Sequence, residues 1–341
     1  MKETNYFQRL TFSGPLIDQP PTRDIALAIV IPACDEPDLV NTLTALKACD
    51  MPQRPVEIIV VINHGAAATA RVKTVNAQCV TRLNQWVKAN PHSGLQCFLL
   101  FVPDLPPRKA GVGLARKIGM DEAARRAFGV SRSDLPLVCL DADCQVSKDY
   151  LTGLHGFFSA RTDIEGCAIH FEHSLDGLDF WQRDAIVDYE LHLRCMISWQ
   201  RWAGLPFAYQ TVGSSMAVRA GTYVAVGGMN TRQAGEDFYF LHKVIERGQF
   251  ADCAYCAVYP SPRVSDRVPF GTGRAIGQVK QGEPVLTHHP EVYRAVRRLV
   301  KLVPRLWDEE DDLSGEVPEV LGAFLAAQGW PERLAEIRAN T

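Results

Sequence analysis

No stretch of this sequence approaches the roughly 20 apolar residues that a membrane-spanning helix requires, and its cationic residues form no long basic run. With a formal net charge of -3, the chain lacks the electrostatic footprint by which a dedicated nucleic-acid binder competes for phosphates in salt. Any phosphate it binds is therefore expected on a small molecule, with no nucleic-acid partner. Residues 1–20 carry Lys2, Glu3, Arg9 and Asp18 and no continuous apolar stretch, so they do not read as a signal peptide. The expectation is a cytoplasmic protein whose ten cysteines are reduced thiols packed as small hydrophobes. Cys253 and Cys256 form a CxxC, but no second CxxC or CxxH of suitable spacing accompanies it, and the pair reads as structural. There is no low-complexity tract and no internal repeat. No G-x-G-x-x-G follows an apolar run either, which argues against a dinucleotide-dependent oxidoreductase.

What is present is enough apolar material, 47% of 341 residues, for a large core in one extended domain or two fused halves. Residues 25–32 (IALAIVIP) are almost unbroken in their apolarity, the pattern of a strand buried on both faces of a parallel sheet. Leu39, Val40, Leu43 and Leu46 follow at helical spacing within 38–47. The alternation then repeats: a strand at 57–62, mostly helix over 66–89, a strand at 95–102, a helix at 113–128 and a strand at 136–140. Such alternation implies right-handed crossovers and a doubly wound, mostly parallel α/β sheet flanked by helices. Past residue 151 the regularity loosens. A long helix is expected over 178–201, short strands within 208–218 and a helix over 236–247. From 288 onward the chain reads as helical. Residues 292–303 mix Arg294, Arg297, Arg298 and Lys301 with Val296, Leu299, Val300 and Val303, as in a packed helix with a solvated basic face, or else a membrane-surface helix. Pro304 is expected to stop it.

In open sheets ligands bind beyond the carboxyl ends of the strands, and those positions are polar here. They are Cys34, Asp35 and Glu36 after the first strand, Asn63 and His64 after the second, Asp104, Arg108 and Lys109 after the third, and Asp141 and Asp143 after the fourth. Two carboxylates two residues apart at a strand end can share one hard cation, and oxygen ligands with retained water suit Mg²⁺ or Mn²⁺. A metal held there could bridge a diphosphate. The same pair can equally serve as turn or capping residues, so D-x-D alone does not decide.

Its company adds to it. VIPACDEPDLVNTLTAL, EIIVVINHG, RKAGVGLARKIGMDEA, LDADCQVSKDYL and GGMNTRQAGEDFYFLHKV, in that order, together resemble the family 2 glycosyltransferases with a GT-A fold, over residues 26–244. That resemblance implies a nucleoside diphosphate-sugar donor, Mn²⁺ or Mg²⁺, and inverting single-displacement transfer to an acceptor hydroxyl. By position, Asp143 resembles the direct metal ligand, and Asp141 the residue that reaches the donor ribose or sugar, or the metal through water. Pro32, Ala33 and Glu36 match the segment lining the base and ribose, and Arg116 the arginine near the donor. Lys109 either pairs with the pyrophosphate or solvates a helix start. The family usually has an acidic residue where this chain has Asn63, so UDP and GDP both stay open. The implied organisation is an N-terminal segment (1–24), a nucleotide-sugar-binding half (25–150), an acceptor-binding and catalytic half (151–287), and a C-terminal helical extension (288–341).

In the second half Glu236 and Asp237 open a helix, whose N-terminal dipole favours negative charge. The resemblance makes Asp237 the general base and Glu236 a residue that orients the acceptor or the site; on residue type alone both could be capping acids. The glycines of 213–216 (GSSM) and 227–229 (GGM) allow close backbone approach to a sugar, or simply make turns. Residues 261–275, rich in glycine, proline and arginine, are expected to form a lid that brings Arg263, Arg267 or Arg274 to phosphates or to an acidic acceptor. His288 and His289 are the histidines available as a further metal ligand. A small soluble acceptor or a lipid-linked one, met at the inner membrane face, are both compatible. The competing functions are a non-catalytic nucleotide-sugar-binding protein, disfavoured by the presence of both Asp143 and Asp237, and a nucleotidyltransferase, disfavoured because no glycine-rich phosphate loop follows the first strand.

Overall fold

A computed structural model describes residues 3–106, 110–265, 271–307 and 319–340. It divides into two compact units: residues 1–186 with 209–277, and residues 187–208 with 278–341. No helix among the described residues is long and apolar enough to cross a membrane.

The first unit is built on one eight-stranded sheet. β1 (Leu27–Ala33), β2 (Val56–Gly65), β3 (Leu95–Leu105) and β4 (Pro136–Cys139) alternate with α2 (Leu39–Ala48), α3 (Ala70–Ala89) and α4 (Val112–Gly129), after a short α1 (Glu3–Arg9). Then come β5 (Gln145–Val146), α5 (Tyr150–Ala160), β6 (Gly166–Phe171), α6 (Phe180–Ala203), β7 (Met216–Arg219), α7 (Ala220–Ala225), α8 (Glu236–Ile245), β8 (Phe250–Tyr259) and α9 (Thr272–Lys280). The strand order is β3-β2-β1-β4-β7-β6-β8-β5. The four strands of the first half are mutually parallel. β7 runs antiparallel between β4 and β6, β6 and β8 are parallel, and β5 closes the edge antiparallel to β8. This is the doubly wound, mostly parallel α/β sheet flanked by helices that the alternation predicts.

All seven residues of β1 are buried, as an uninterrupted apolar run requires of a central strand covered on both faces. Helix α4 packs on β1 and β2 at Gly119, where a Cβ would lie 2.3 Å from Val30 Cγ1; glycine lets helix and sheet backbones close up. An ion pair sits deep in this layer. Glu57, on β2, accepts two hydrogen bonds from Arg126 of α4, at 2.7 and 2.8 Å, and the pairing is what makes its burial tolerable.

The second unit takes α6 from residue 187 onward and holds α10 (Pro290–Leu302), a 3₁₀ turn (Val303–Trp307), α11 (Glu319–Ala327) and α12 (Trp330–Ala339). α10 ends at Leu302, and Pro304 sits inside the 3₁₀ turn that follows rather than ending all helical structure, since a proline in a first turn forfeits no hydrogen bond. Arg294, Arg298 and Lys301 are exposed along α10, while Arg297 stacks over Trp202 at 4.3 Å and Trp199 stacks on Tyr293 at 5.7 Å.

Two expectations need amending. Within 208–218 only β7 is extended; residues 209–215 run irregularly, and Gly213 among them lies against a buried guanidinium described below. The expected lid is also partly helical: α9 begins at Thr272 and buries Ile276, so Arg274 stands on a helix and not in a loop. The CxxC lies on β8, with Cys253 and Cys256 both buried, as is Cys167 on β6.

Candidate active site

The site starts from strand register. β1 and β4 are neighbours, with Val30 opposite Cys139, and Leu140 N–H donates to the Val30 carbonyl at 3.1 Å. The chain leaving β1 through residues 34–36 therefore emerges beside the chain leaving β4 through residues 141–143. Thr42 Oγ1, on α2, donates to the Ala142 carbonyl at 2.9 Å and fixes that D-A-D turn.

Arg116, in the second turn of α4, organises one side. Its buried guanidinium reaches Asp141 at 2.5 Å through Nη2 and pairs with Glu236 through Nη1. Burial opposes the charge, but Asp141 and Asp237 more than offset it, so Arg116 titrates above its ordinary range. The guanidinium fits only because residue 213 is glycine: a Cβ there would lie 2.5 Å from Arg116 Cζ. Gly113 does the same for the backbone, since a Cβ on it would lie 2.1 Å from the Arg232 carbonyl and 3.1 Å from Glu236 Cβ. Together they bring the N-termini of α4 and α8 into contact.

Helix α8 opens at Gly235, which adopts the left-handed conformation (φ 70°) that glycine takes without strain. Asn230 Nδ2 donates to the Glu236 carbonyl at 2.9 Å and anchors that opening. Glu236 is buried and committed to Arg116; Asp237 is half-buried and accepts the Phe238 N–H at 2.8 Å. Its charge acts on Arg116 and on the buried Cys139, so it belongs to the same cluster as Asp141.

Arg263, past the end of β8, organises the other side. It pairs with both oxygens of Glu36, at 2.8 Å through Nη1 and more closely through Nη2, and that same Nη2 lies 2.8 Å from Asp143 Oδ2. Glu36 is 3% exposed on its side chain, Asp143 24% and Arg263 34%. The Glu36 carboxylate, despite the burial of Arg263, raises the guanidinium above its ordinary range, with Asp143 adding to the effect. Each carboxylate of the D-x-D thus faces its own guanidinium, Asp141 that of Arg116 and Asp143 that of Arg263.

The ends of β1 and β2 are knitted by amides. Asp35 takes a left-handed φ of 53°, which aspartate tolerates better than most side chains; its N–H donates to Asn76 Oδ1 at 2.8 Å and its carboxylate pairs with Arg71. Asn76 Nδ2 donates in turn to the Asn63 carbonyl at 2.9 Å, and Asn63 Nδ2 to the Gly111 carbonyl at 3.4 Å. Asn63, Pro32 and Ala33 are all buried at this edge.

Of the residues singled out from sequence, Arg116 contacts Asp141 and Glu236, Arg263 contacts Glu36 and Asp143, and Asp237 acts on Arg116 through its charge. Lys109 and Arg267 lie outside the described residues. Arg274 is half-buried on α9. His288 and His289 belong to the second unit, where His289 Nδ1 accepts the Glu291 N–H at 3.2 Å as the cap of α10 and His288 packs edge-on against Tyr293 at 6.1 Å. Among the described residues no group of three His, Cys, Asp or Glu could hold a metal. Two carboxylates do fit a Mg²⁺ or Mn²⁺ that keeps waters and shares its shell with substrate phosphates. Asn76 and Asn230 carried no sequence signal, since an asparagine on a helix face or in a turn is ordinary.

Neither a protein-family model nor a curated protein matches the sequence. Among solved structures, the chain is similar to residues 1–349 of S. aureus TarS in complex with UDP-GlcNAc, at 13% identity over 86% of this chain and 76% of that one, with a TM-score of 0.47. It is also similar to the mannosyltransferase PcManGT from Pyrobaculum calidifontis in complex with GDP-Man and Mn²⁺, at 14% identity over 98% of this chain and 88% of that one, with a TM-score of 0.47. A mycobacterial protein matches at 14% identity over 77% of this chain and 76% of that one, with a TM-score of 0.39.

Proposed function

We propose that this chain is an inverting glycosyltransferase of family 2 type, moving a sugar from a nucleoside diphosphate-sugar, UDP- or GDP-linked, to an acceptor hydroxyl. One observation carries the reading: Arg116 joins the carboxylate at the end of β4 to the acidic first turn of α8, so a donor-side acid and a candidate base, distant in sequence, share one site.

In this reading the nucleoside lies along the ends of β1 and β2, against Pro32, Ala33, Glu36 and Asn63. Asp143 would hold the divalent metal, with Asp141 reaching the donor or the metal through water, and the metal would supply positive charge to the departing diphosphate. Asp237 takes the proton from the acceptor hydroxyl as its oxygen attacks the anomeric carbon. The bond from that carbon to the diphosphate oxygen breaks, and its electron pair leaves with the nucleoside diphosphate. Arg116 stays with Glu236 and Asp141, so its contribution is to hold the two acids at a fixed separation. Lys109, Arg267 and Arg274 are further cations for the phosphates or the acceptor.

The test separates catalysis from binding. Asp237→Asn should lower transfer or donor hydrolysis by about 10²–10⁴-fold, the usual contribution of a positioned base, with donor affinity kept, as measured by calorimetry. Unchanged turnover in Asp237→Asn would remove Asp237 as the base, and donor binding without any turnover in the wild type would leave a nucleotide-sugar-binding protein as the better reading.

A further inference from the structure

Both acids of the D-x-D are already matched by guanidinium groups, and the two matches differ in kind. Arg116 is enclosed: its side chain is 5% exposed, it is packed on Gly213, and it is committed to Glu236 as well as Asp141. Arg263 bridges two carboxylates of different burial, with Nη2 shared between them. Its partner Glu36 is buried, whereas its arm toward Asp143 joins two side chains that keep about a quarter and a third of their surface open. Its backbone lies between the end of β8 and the start of α9, in the irregular stretch 260–265. A guanidinium there occupies Asp143 Oδ2 and repels a cation approaching that carboxylate. The same planar fork prefers a diphosphate to a lone carboxylate oxygen, because it can bind phosphate oxygens in pairs.

We propose that Arg263 is an exchangeable counter-ion: it occupies Asp143 through Nη2 in the ligand-free protein and, with Nη1 kept on Glu36, turns Nη2 to the donor diphosphate, releasing Asp143 to the divalent cation only when a diphosphate is present. The proposal rests on the reading of the site as one for nucleoside diphosphate-sugars. It makes cation and nucleotide bind cooperatively, each raising the affinity of the other by the same factor. It also assigns that cooperativity to one side chain, beyond any direct contact between metal and phosphate.

Mn²⁺ binding by the full chain, read from the electron paramagnetic resonance of free Mn²⁺ without and with UDP, GDP, CDP or dTDP, tests it without an activity assay. In the wild type one nucleotide should strengthen Mn²⁺ binding by about tenfold or more, inside the range usual for coupled sites. Arg263→Gln should strengthen nucleotide-free Mn²⁺ binding several-fold and shrink the nucleotide effect. Because Arg263→Gln alone leaves Glu36 buried without its cation, a destabilising change, the double variant Arg263→Gln/Glu36→Gln is measured beside it and should show the same gain. Nucleotide-free Mn²⁺ affinity that is unchanged or weaker in both variants, while nucleotide still binds, overturns the counter-ion role and leaves the function standing. Mn²⁺ binding that survives in Asp143→Asn, or a wild type that binds none of the four nucleotides, overturns the site reading and this proposal with it.

Discussion

A methyl group at residue 213 would meet Arg116 Cζ at 2.5 Å, and the guanidinium has no room to withdraw without giving up Asp141 or Glu236. Gly213→Ala should therefore destabilise the chain by about 1–3 kcal/mol, as overpacking of a filled interior does, and should lower turnover because the two acids lose their spacer. A urea melt beside a turnover assay checks both; a variant with full stability and full turnover would mean that Arg116 moves freely. Thiol chemistry gives a second residue-scale outcome. Burial pushes the Cys49 thiol up to about 11, and those of Cys97 and Cys139 up to about 12, so their reactive thiolate is scarce at neutral pH. Cys34 and Cys195 are the exposed cysteines. A thiol reagent at pH 7.5 should modify these two quickly, and all ten only after denaturation. At this scale the acids at the strand ends were legible because chemistry concentrates at such ends. Their cationic partners were half legible: Arg263 was expected to reach phosphates, but its pairing with Glu36, 227 positions away in sequence, leaves no trace in local pattern.

Elements were legible where they were long and periodic. β1 and β2 announce themselves as apolar runs buried on both faces, β3, β4, α3 and α4 follow from the alternation of strand and helix, and β7 overlaps the short strands expected within 208–218, whereas β5 is two residues long, too short for any period to register. α1 was missed for the same reason, at seven residues, yet it is firmly docked. Tyr6 is fully buried, donates to Asp121 at 2.6 Å, and lies so close to Gly228 that a Cβ there would be 2.0 Å from its hydroxyl. Tyr6→Ala should cost about 3–5 kcal/mol, as large buried aromatic deletions do. Tyr6→Phe should cost only about 1 kcal/mol, because Asp121 keeps Tyr223 Oη at 2.7 Å, Lys117 Nζ at 3.1 Å and the Phe12 N–H at 3.1 Å. Equal losses in the two variants, by urea melt, would show that α1 is held by the hydroxyl and not by its ring.

The molecule as a whole divides its work between two units, and the division bears on how a ligand should act. Glu36, Arg116, Asp141, Asp143, Glu236, Asp237 and Arg263 all fall in the unit made of residues 1–186 and 209–277. A ligand that binds only the native form of that unit stabilises it by mass action, by about 2.7 kcal/mol at a hundredfold excess over Kd. For a body of roughly 150–250 residues or slightly more that is a rise in melting temperature of about 5–10 °C. The proposed function therefore predicts such a rise with one of UDP-, GDP-, CDP- or dTDP-sugars, dependent on Mn²⁺ and lost in Asp143→Ala. Amide exchange should slow around β1, β4 and the start of α8. The site residues named above all lie outside 278–341, so exchange there should keep its ligand-free rates. Protection confined to 278–341, or a melting shift that survives in Asp143→Ala, would move the nucleotide away from the strand ends and take the proposed chemistry with it.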